Sequence, residues 1–350
     1  MSVQNLGHCN NELNKSIKNQ IKKYSHVMVY GEFIQKPSLQ LCELLNQILP
    51  KNLNSTYLTN SGTEAIEAAL KLAKRVTGKT RIISALNSYH GSTHGSMSVS
   101  GFEQRKRAYR PLLPNIDFIK FNSEKDIEKI NDDTCCVILE TIQGGAGFIQ
   151  PKENYLKKIS KRCKEVGAIL ILDELQTGLG RTGKMFAFQH YGISPDILVL
   201  GKSLGGGFPI GAMISDLSLM NKLKSNPILG HITTFGGHPV ISQAGLTTLK
   251  ITLRDKLHEK AKISELKFKT KLKHPGIVEI RGKGLMLAII LKSNELAKKL
   301  VIKCLEKGLI LFWLLYESKA VRITPPLNIS EKEIAVACDI ILKTLDEISN

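Results

Sequence analysis

Short apolar runs recur through the first part of this 350-residue chain, and helical segments separate them. Each run is rich in Ile, Val or Leu, which is typical of a strand buried on both faces of a parallel sheet. The runs lie at residues 81–86, 135–140, 168–172, 197–200 and 211–214. Strands that alternate with helices predict an α/β fold with a mostly parallel central sheet, in which ligand chemistry takes place at the carboxyl ends of the strands.

The pattern changes after about residue 240. A long, charged helical stretch up to Lys273 is followed by the Gly-rich segment 281–286, short strands and a final helix. This succession predicts a second, smaller α+β domain. The chain is therefore expected to comprise an N-terminal segment, a large domain and a small C-terminal domain, at residues 1–35, 36–240 and 241–350 respectively.

Two charged residues end buried strands. Lys202 precedes three glycines, and a lysine held against apolar walls has a lowered pKa, so that its amine can be nucleophilic enough to form a Schiff base. A buried Asp173 needs a cation or hydrogen-bond donors to compensate it. The protonated ring nitrogen of pyridoxal phosphate (PLP) would be such a cation, and Gln176 would donate to the phenolic oxygen of that ring. Taken alone, Lys202 has a simpler explanation as a solvated lysine, and Asp173 as a helix N-cap.

Residues 59–78 predict a helix with a start suited to phosphate. Its apolar positions recur at helical spacing, at Ile66, Ala69, Leu70, Ala73 and Val76. The amides of Ser61, Gly62 and Thr63 would point out of the helix N-terminus, where a phosphate group binds well. Most such helix starts bind nothing, so the motif gains its weight from the lysine and the aspartate.

Several motifs stand in a fixed order along the chain: NSGTEA at 60–65, SYHG at 88–91, ETIQG at 140–144, LDELQTGLGRTG at 172–183, GKSLGGGFPIG at 201–211, TTFGGHP at 233–239 and RITPPL at 322–327. Together they resemble the class III (ornithine/acetylornithine type) PLP-dependent aminotransferases, some of which serve arginine biosynthesis. The resemblance covers nearly the whole chain, from about residue 5 to the end. It implies the type I fold of PLP-dependent transferases.

The resemblance also implies roles for the matched residues. Lys202 would form the Schiff base and carry the proton between the substrate Cα and C4′ of PLP. Asp173 would pair with the ring nitrogen, and Gln176 would reach the ring hydroxyl. Tyr89 would stack on the ring, and His90 belongs to the same cofactor-binding motif.

Further matched residues would complete the cofactor site. Gly62 and Thr63, together with Ser61, would hold the phosphate. Thr234 would reach across a homodimer interface to the partner's phosphate, so that the active sites are shared and a monomer is inactive. Glu140 matches a site glutamate. For Glu140 and Tyr89, a buried hydrogen bond and core packing remain alternative explanations.

Three departures from the family pattern concern the substrate pocket. The stretch 5–8 resembles one that lies well inside full-length relatives, so the segment that completes the small domain is expected to be missing. Ser92 stands where acetylornithine-type enzymes usually carry an arginine for a substrate carboxylate. Thr141 and Gly145 replace a proline and a glutamate. Without that glutamate, Arg322 is expected to be permanently free to clamp a carboxylate bidentately.

The leading hypothesis is an aminotransferase that moves an amino group from an ω-amino acid, such as ornithine or N-acetylornithine, to 2-oxoglutarate. A glutamate-semialdehyde-type aminomutase would use the same PLP site without an oxo-acid acceptor. A truncated PLP-binding protein with little turnover is the third hypothesis, and the intact Asp173, Gln176 and Lys202 argue against it.

Composition fits a cytoplasmic enzyme. No apolar segment is long enough to span a bilayer, and the start lacks a secretory signal. The seven cysteines show no metal-binding spacing and are expected to be reduced thiols.

The net charge of +18 suggests nucleic-acid binding, but the lysines are spread over predicted helices without an aromatic-studded basic stripe. A solvated surface is the preferred interpretation, and neither a metal nor a membrane is expected as a partner.

Overall fold

The computed structural model describes residues 2–349, so the outer limits of the first and last predicted segments, residues 1 and 350, lie outside the described part. The helices are α1 Asn11–Lys23, α2 Lys36–Ile48, α3 Gly62–Thr77, α4 His94–Ser98, α5 Tyr155–Val166, α6 Leu217–Met220, α7 Pro239–Arg254, α8 Leu257–Lys271, α9 Asn294–Glu306 and α10 Glu331–Ser349. The strands are β1 Ser55–Thr59, β2 Arg81–Ala85, β3 Ile116–Ile119, β4 Thr134–Glu140, β5 Ile169–Asp173, β6 Ile197–Leu200, β7 Gly211–Ser215, β8 Ile277–Lys283, β9 Met286–Leu291, β10 Phe312–Trp313 and β11 Ala320–Ile323.

Short 3-10 turns supplement these elements. They lie at Glu103–Arg105, Arg107–Tyr109, Lys125–Lys129, Ala187–His190, Lys202–Gly205 and Asn221–Leu223. Two of them matter for the site. The turn at Glu103–Arg105 borders the cavity described below, and the turn that begins at Lys202 follows directly from the central strand β6.

The large domain is built on a seven-stranded sheet with the order β1-β7-β6-β5-β4-β2-β3. The five strands from β6 to β3 run parallel, and β7 is antiparallel to both of its neighbours. The mostly parallel sheet predicted from the sequence is therefore confirmed. The two edge strands, β1 and β3, were not among the predicted runs, because most of their residues are polar or only partly buried.

A second, four-stranded antiparallel sheet has the order β10-β11-β9-β8, and α8, α9 and α10 pack with it. This arrangement confirms the smaller α+β unit. The helical stretch expected up to Lys273 consists of two helices, α7 and α8. Lys256, which precedes α8, has the left-handed φ of 48°, and this conformation interrupts the helical path.

Two hydrophobic cores meet at α7. Leu246 and Leu249 of this helix belong to the core of the large sheet, whereas Ala244 and Ile251 belong to the core around the small sheet. The N-terminal helix α1 also packs its buried face on α7. The domain limit near residue 240 that we propose from the sequence lies at the start of α7, the helix that both cores share. Within residues 2–349, no helix is long and apolar enough to cross a membrane.

Candidate active site

The carboxyl ends of three parallel strands bring the predicted chemistry together. The register of β4 and β5 places Glu140 directly beside Asp173, and the register of β5 and β6 places Asp173 beside Val199. Lys202 follows shortly after the end of β6. Strands β4, β5 and β6 are completely buried, which explains why their sequences read as continuous apolar runs.

The backbone at Lys202 is unusual. Its φ of 45° lies in the left-handed region, which costs energy for any residue with a Cβ, and such strain is often retained at functional sites. Burial lowers the pKa of the Lys202 amine, although the nearby carboxylates of Asp173 and Glu140 oppose this effect. Because the amine loses its proton more easily than an exposed lysine, it is suited to act as a nucleophile and as a base.

Asp173 is held by two donors. Its Oδ2 accepts a hydrogen bond from His90 Nδ1 at 2.8 Å, and its Oδ1 accepts one from the Leu175 amide at 2.9 Å. The side chains of His90 and Asp173 are almost completely buried. Each carboxylate oxygen has two lone pairs, so one remains on each for a further donor. The predicted role of Asp173 toward a protonated ring nitrogen therefore remains sterically and electrostatically reasonable.

Glu140 connects two loops of the site. Its Oε1 accepts a hydrogen bond from the Gly144 amide at 3.1 Å, and its Oε2 accepts one from the Tyr89 amide at 3.3 Å. Burial raises the pKa of Glu140 to about 7, and the neighbouring charge of Asp173 adds to this effect while His90 opposes it. Glu140 therefore makes the buried hydrogen bonds of the alternative explanation. It also lines the cavity of the site.

The start of α3 has the geometry expected of an anion site. Ser61 caps the helix, because its Oγ accepts a hydrogen bond from the Glu64 amide at 3.3 Å. The amides of Gly62 and Thr63 lie in the first turn, where no helical carbonyl is available to accept them. A Cβ on Gly62 would lie 2.8 Å from Leu175 Cδ1, so the helix start packs closely against the turn that follows Asp173.

A cavity of about 200 Å³ collects most of the predicted residues. Its lining comprises Tyr89, Arg105, Glu140, Ile142, Gly144, Gly145, Asp173, Gln176, Thr177, Lys202, Leu314, Leu315 and Arg322. Gln176 donates from Nε2 to Ser2 Oγ at 3.2 Å, and the Tyr89 hydroxyl lies 3.0 Å from Ser92 Oγ. The departures from the family pattern at Ser92 and Gly145 therefore lie in or beside the cavity.

Five predicted residues do not line this cavity, namely Ser61, Gly62, Thr63, His90 and Thr234. Thr234 is exposed, and its carbonyl accepts a hydrogen bond from His26 Nε2 at 2.9 Å. Phe235, which follows Thr234, is 54% exposed. The structure therefore places Thr234 on the surface of the chain, among apolar side chains.

The expectation for Arg322 needs a correction. Its Nε and Nη2 both donate to the Trp313 carbonyl, at 3.0 and 2.7 Å, so the guanidinium is not entirely free. Among residues 2–349, no carboxylate lies within ion-pair distance of it. Burial lowers its pKa. Arg322 is thus a positioned cation without an acidic partner in the described chain, and its remaining donors are available to a ligand.

Sequence reasoning missed two residues of this site. Arg105 lines the cavity, and Tyr316 fills the space beside Gly145, because a Cβ on Gly145 would lie 2.9 Å from the Tyr316 ring. The Tyr316 amide donates to the Gly145 carbonyl at 2.9 Å. Neither residue lies in a recognised motif. Arg105 is one of 49 Lys and Arg residues, so no signal in the sequence distinguished it.

The residues present fit PLP. The cavity offers an amine of lowered pKa, an acid with spare lone pairs, an amide side chain and an aromatic ring, on Lys202, Asp173, Gln176 and Tyr89. A Cβ on Gly144 would collide with Gln176 Oε1, so this glycine leaves room for the Gln176 side chain. The free amides at the start of α3 would take the phosphate. Among residues 2–349, no group of three His, Cys, Asp or Glu residues is placed to hold a metal ion.

Comparison with known proteins agrees with the geometry. The model of the class-III aminotransferase family matches residues 1–345. The putrescine aminotransferase of Pectobacterium atrosepticum is 38% identical, over 95% of this chain and 74% of the relative. The acetylornithine aminotransferase of Archaeoglobus fulgidus is 35% identical, over 98% of this chain and 88% of the relative.

A solved structure is similar in fold as well. The ornithine aminotransferase of Toxoplasma gondii superimposes with a TM-score of 0.91 and 28% identity, and the match covers 99% of this chain and 85% of that one. The family match extends over nearly the full length of the chain. The chain therefore belongs to the class-III aminotransferases, which are PLP-dependent enzymes.

Proposed function

We propose that this enzyme moves an amino group from an ω-amino acid, such as ornithine or N-acetylornithine, to 2-oxoglutarate. The observation that carries this proposal is the position of Arg322 in the same cavity as Lys202, without a carboxylate partner among residues 2–349. A guanidinium in that position recognises a substrate carboxylate. The acetylornithine aminotransferases among the similar proteins support the choice of an ω-amino acid.

The residues of the chain would divide the work as follows. When bound, PLP supplies an electron sink for the carbon that loses its proton. The Lys202 amine would hold the cofactor and then take and return that proton, which its lowered pKa favours. Asp173, oriented by His90, would keep the ring nitrogen protonated. The first-turn amides of Gly62 and Thr63 would anchor the phosphate.

The same proposal includes a homodimer with shared active sites. Two segments near Thr234 expose large apolar side chains, among them Phe33, Ile34 and Ile228, which are 62%, 83% and 79% exposed. Tyr30 and Ile228, one from each segment, line a common groove, and apolar surface of this kind is typical of a protein interface. Thr234 lies in the second segment, where it would contribute to the partner's phosphate site. A monomer at working concentration, measured by sedimentation velocity, would refute this part.

We also propose that the enzyme is located in the cytoplasm, where free thiols stay reduced.

Spectroscopy on the purified holoenzyme tests the central proposal. The visible absorption of bound PLP should be lost on addition of ornithine, N-acetylornithine or 4-aminobutyrate, and it should return with 2-oxoglutarate. Lys202→Ala should abolish turnover and change the spectrum. Lys262→Ala, a lysine on α8, is the matched control and should behave as the wild type.

The outcomes also separate the two alternatives. An aminomutase would convert glutamate semialdehyde without any added oxo acid. A PLP-binding protein with little turnover would keep its absorption in the presence of every amine tested. If Lys202→Ala shows the same spectrum as the wild type, the assignment of the nucleophile is wrong.

A further inference from the structure

We propose that Arg105 is a second carboxylate-binding residue of the active site. Together with Arg322, it would select substrates that carry a carboxylate distant from the reacting carbon, and it would disfavour diamines. The inference rests on the proposed function, because it concerns the same cavity. Arg105 would supply the cationic contact that Ser92 lacks.

Arg105 lines the cavity together with Lys202 and Arg322. Its side chain is exposed, and within residues 2–349 its guanidinium has neither an ion pair nor a side-chain hydrogen bond. The acid closest in sequence, Glu103, accepts instead from Arg110, with Nη2 and Oε1 2.8 Å apart. Since its neighbour's charge is already neutralised, Arg105 faces the cavity as an uncompensated cation.

Aromatic side chains hold Arg105 in this position. Its Cζ lies 5.8 Å from the centre of the Tyr316 ring, a distance at which a cation is attracted to the ring face. Tyr316 in turn stacks on Phe102, with the ring centres 4.4 Å apart and the planes inclined by 25°. The Arg105 amide donates to the Phe102 carbonyl at 3.2 Å. The backbone turn and the ring stack therefore orient the guanidinium before any ligand arrives.

The charges of the cavity determine which substrate fits. Arg105 and Arg322 have no carboxylate partner among residues 2–349, whereas Asp173 is bonded to His90 and Glu140 to backbone amides. Two such cations complement a dicarboxylate and repel the free ammonium group of a diamine. Although a similar protein is called a putrescine aminotransferase, the cavity of this chain favours carboxylated substrates.

A binding and kinetic comparison on the PLP-loaded enzyme tests the inference. Arg105→Gln should raise the dissociation constant of glutarate, a dicarboxylate that cannot react, by about tenfold, since one charge-assisted contact is lost. The dissociation constant of butyrate should change less than about twofold, because its single carboxylate binds Arg322. The KM should follow the same pattern, rising for 2-oxoglutarate and not for pyruvate. The matched control is Arg107→Gln, an exposed arginine that does not line the cavity.

The possible results distinguish the inference from the proposed function. If the wild type uses 2-oxoglutarate and Arg105→Gln keeps the wild-type KM and glutarate affinity, the inference is wrong and the proposed function stands. If the wild type does not use 2-oxoglutarate, the proposed function is wrong, and glutarate binding still tests Arg105. Equal losses for glutarate and butyrate would also overturn the inference, because they would indicate a general disturbance of the cavity.

Discussion

His90 and Asp173 form a buried hydrogen bond, with Nδ1 and Oδ2 2.8 Å apart. The other ring nitrogen of His90, Nε2, is buried as well and has no hydrogen-bond partner among residues 2–349. Within residues 2–349, the His90 ring therefore makes its one hydrogen bond to Asp173, the acid that is proposed to face the cofactor ring. His90 does not line the cavity itself, and we therefore propose that it positions that acid.

Replacing His90 by Phe should weaken PLP binding about tenfold, because Asp173 loses one of its two donors and a charge-assisted hydrogen bond. The dissociation constant of PLP, measured by absorption titration of the cofactor-free protein, reports this change. His94→Phe, at an exposed position on α4, provides the control. Unchanged PLP affinity in the His90 variant would show that the Leu175 amide is sufficient to orient Asp173.

Restoring a glutamate at position 145 should destabilise the protein by about 1 to 3 kcal/mol, because the new side chain would overlap the Tyr316 ring. The substitution Tyr316→Ala removes that overlap. We therefore expect Gly145→Glu and Tyr316→Ala to be non-additive, with a favourable coupling of about 1 kcal/mol or more in urea unfolding of the single and double variants. Additive free energies of unfolding would contradict the close packing of the two positions.

Glu140 should make the stability of the cofactor-free protein depend on pH. Its pKa is raised from 4.5 to about 7 in the folded state, so between these values the folded chain binds more protons than the unfolded chain. The free energy of unfolding therefore falls as the pH rises through this window. Relative to Glu140→Gln, the wild type should lose roughly 3 kcal/mol between about pH 5 and about pH 8.

Urea unfolding at both pH values measures this difference. Glu153→Gln, at an exposed position, should track the wild type and serves as the control. If the stabilities of wild type and Glu140→Gln change in parallel with pH, then Glu140 does not hold a proton in the folded state.

Arg181 should be essential for stability and not for chemistry. It is buried, and its guanidinium donates to the Leu285 and Pro325 carbonyls at 3.0 and 2.6 Å and to Asn5 Oδ1 at 2.5 Å. Burial lowers its pKa to about 9. Arg181→Met should cost about 3 kcal/mol or more, because several buried acceptors lose their donor. Thermal unfolding measures the loss, and the exposed Arg107→Met should be nearly neutral.

The sequence predicted the parts of the molecule that follow from local pattern. Buried parallel strands such as β4 and β5 read as apolar runs, and the α3 start was visible from its polar residues and helical periodicity. Edge strands β1 and β3 lack that pattern, because most of their residues are not fully buried. Contacts between distant segments were not visible.

In the candidate site, too, the residues that follow from local pattern were predicted and the contacts between distant segments were not. Lys202 and Asp173 stand directly after buried strands, so their positions followed from the sequence. Arg105 and Tyr316 are separated by two hundred residues or so in the chain and meet only because the small domain folds against the large one. The Trp313 carbonyl that accepts two donors from Arg322 is likewise a feature of folded backbone, which no residue type reveals.

The close contact between Gly145 and Tyr316 also bears on how this pocket can evolve. A lineage that regained an acidic side chain at position 145 as its first step would pass through an intermediate in which the new side chain and the aromatic ring compete for one space. This favours one order of substitutions, in which the ring becomes smaller before the acidic side chain appears. Because that ring also holds Arg105, the permissive step would alter ligand preference before the acid appeared.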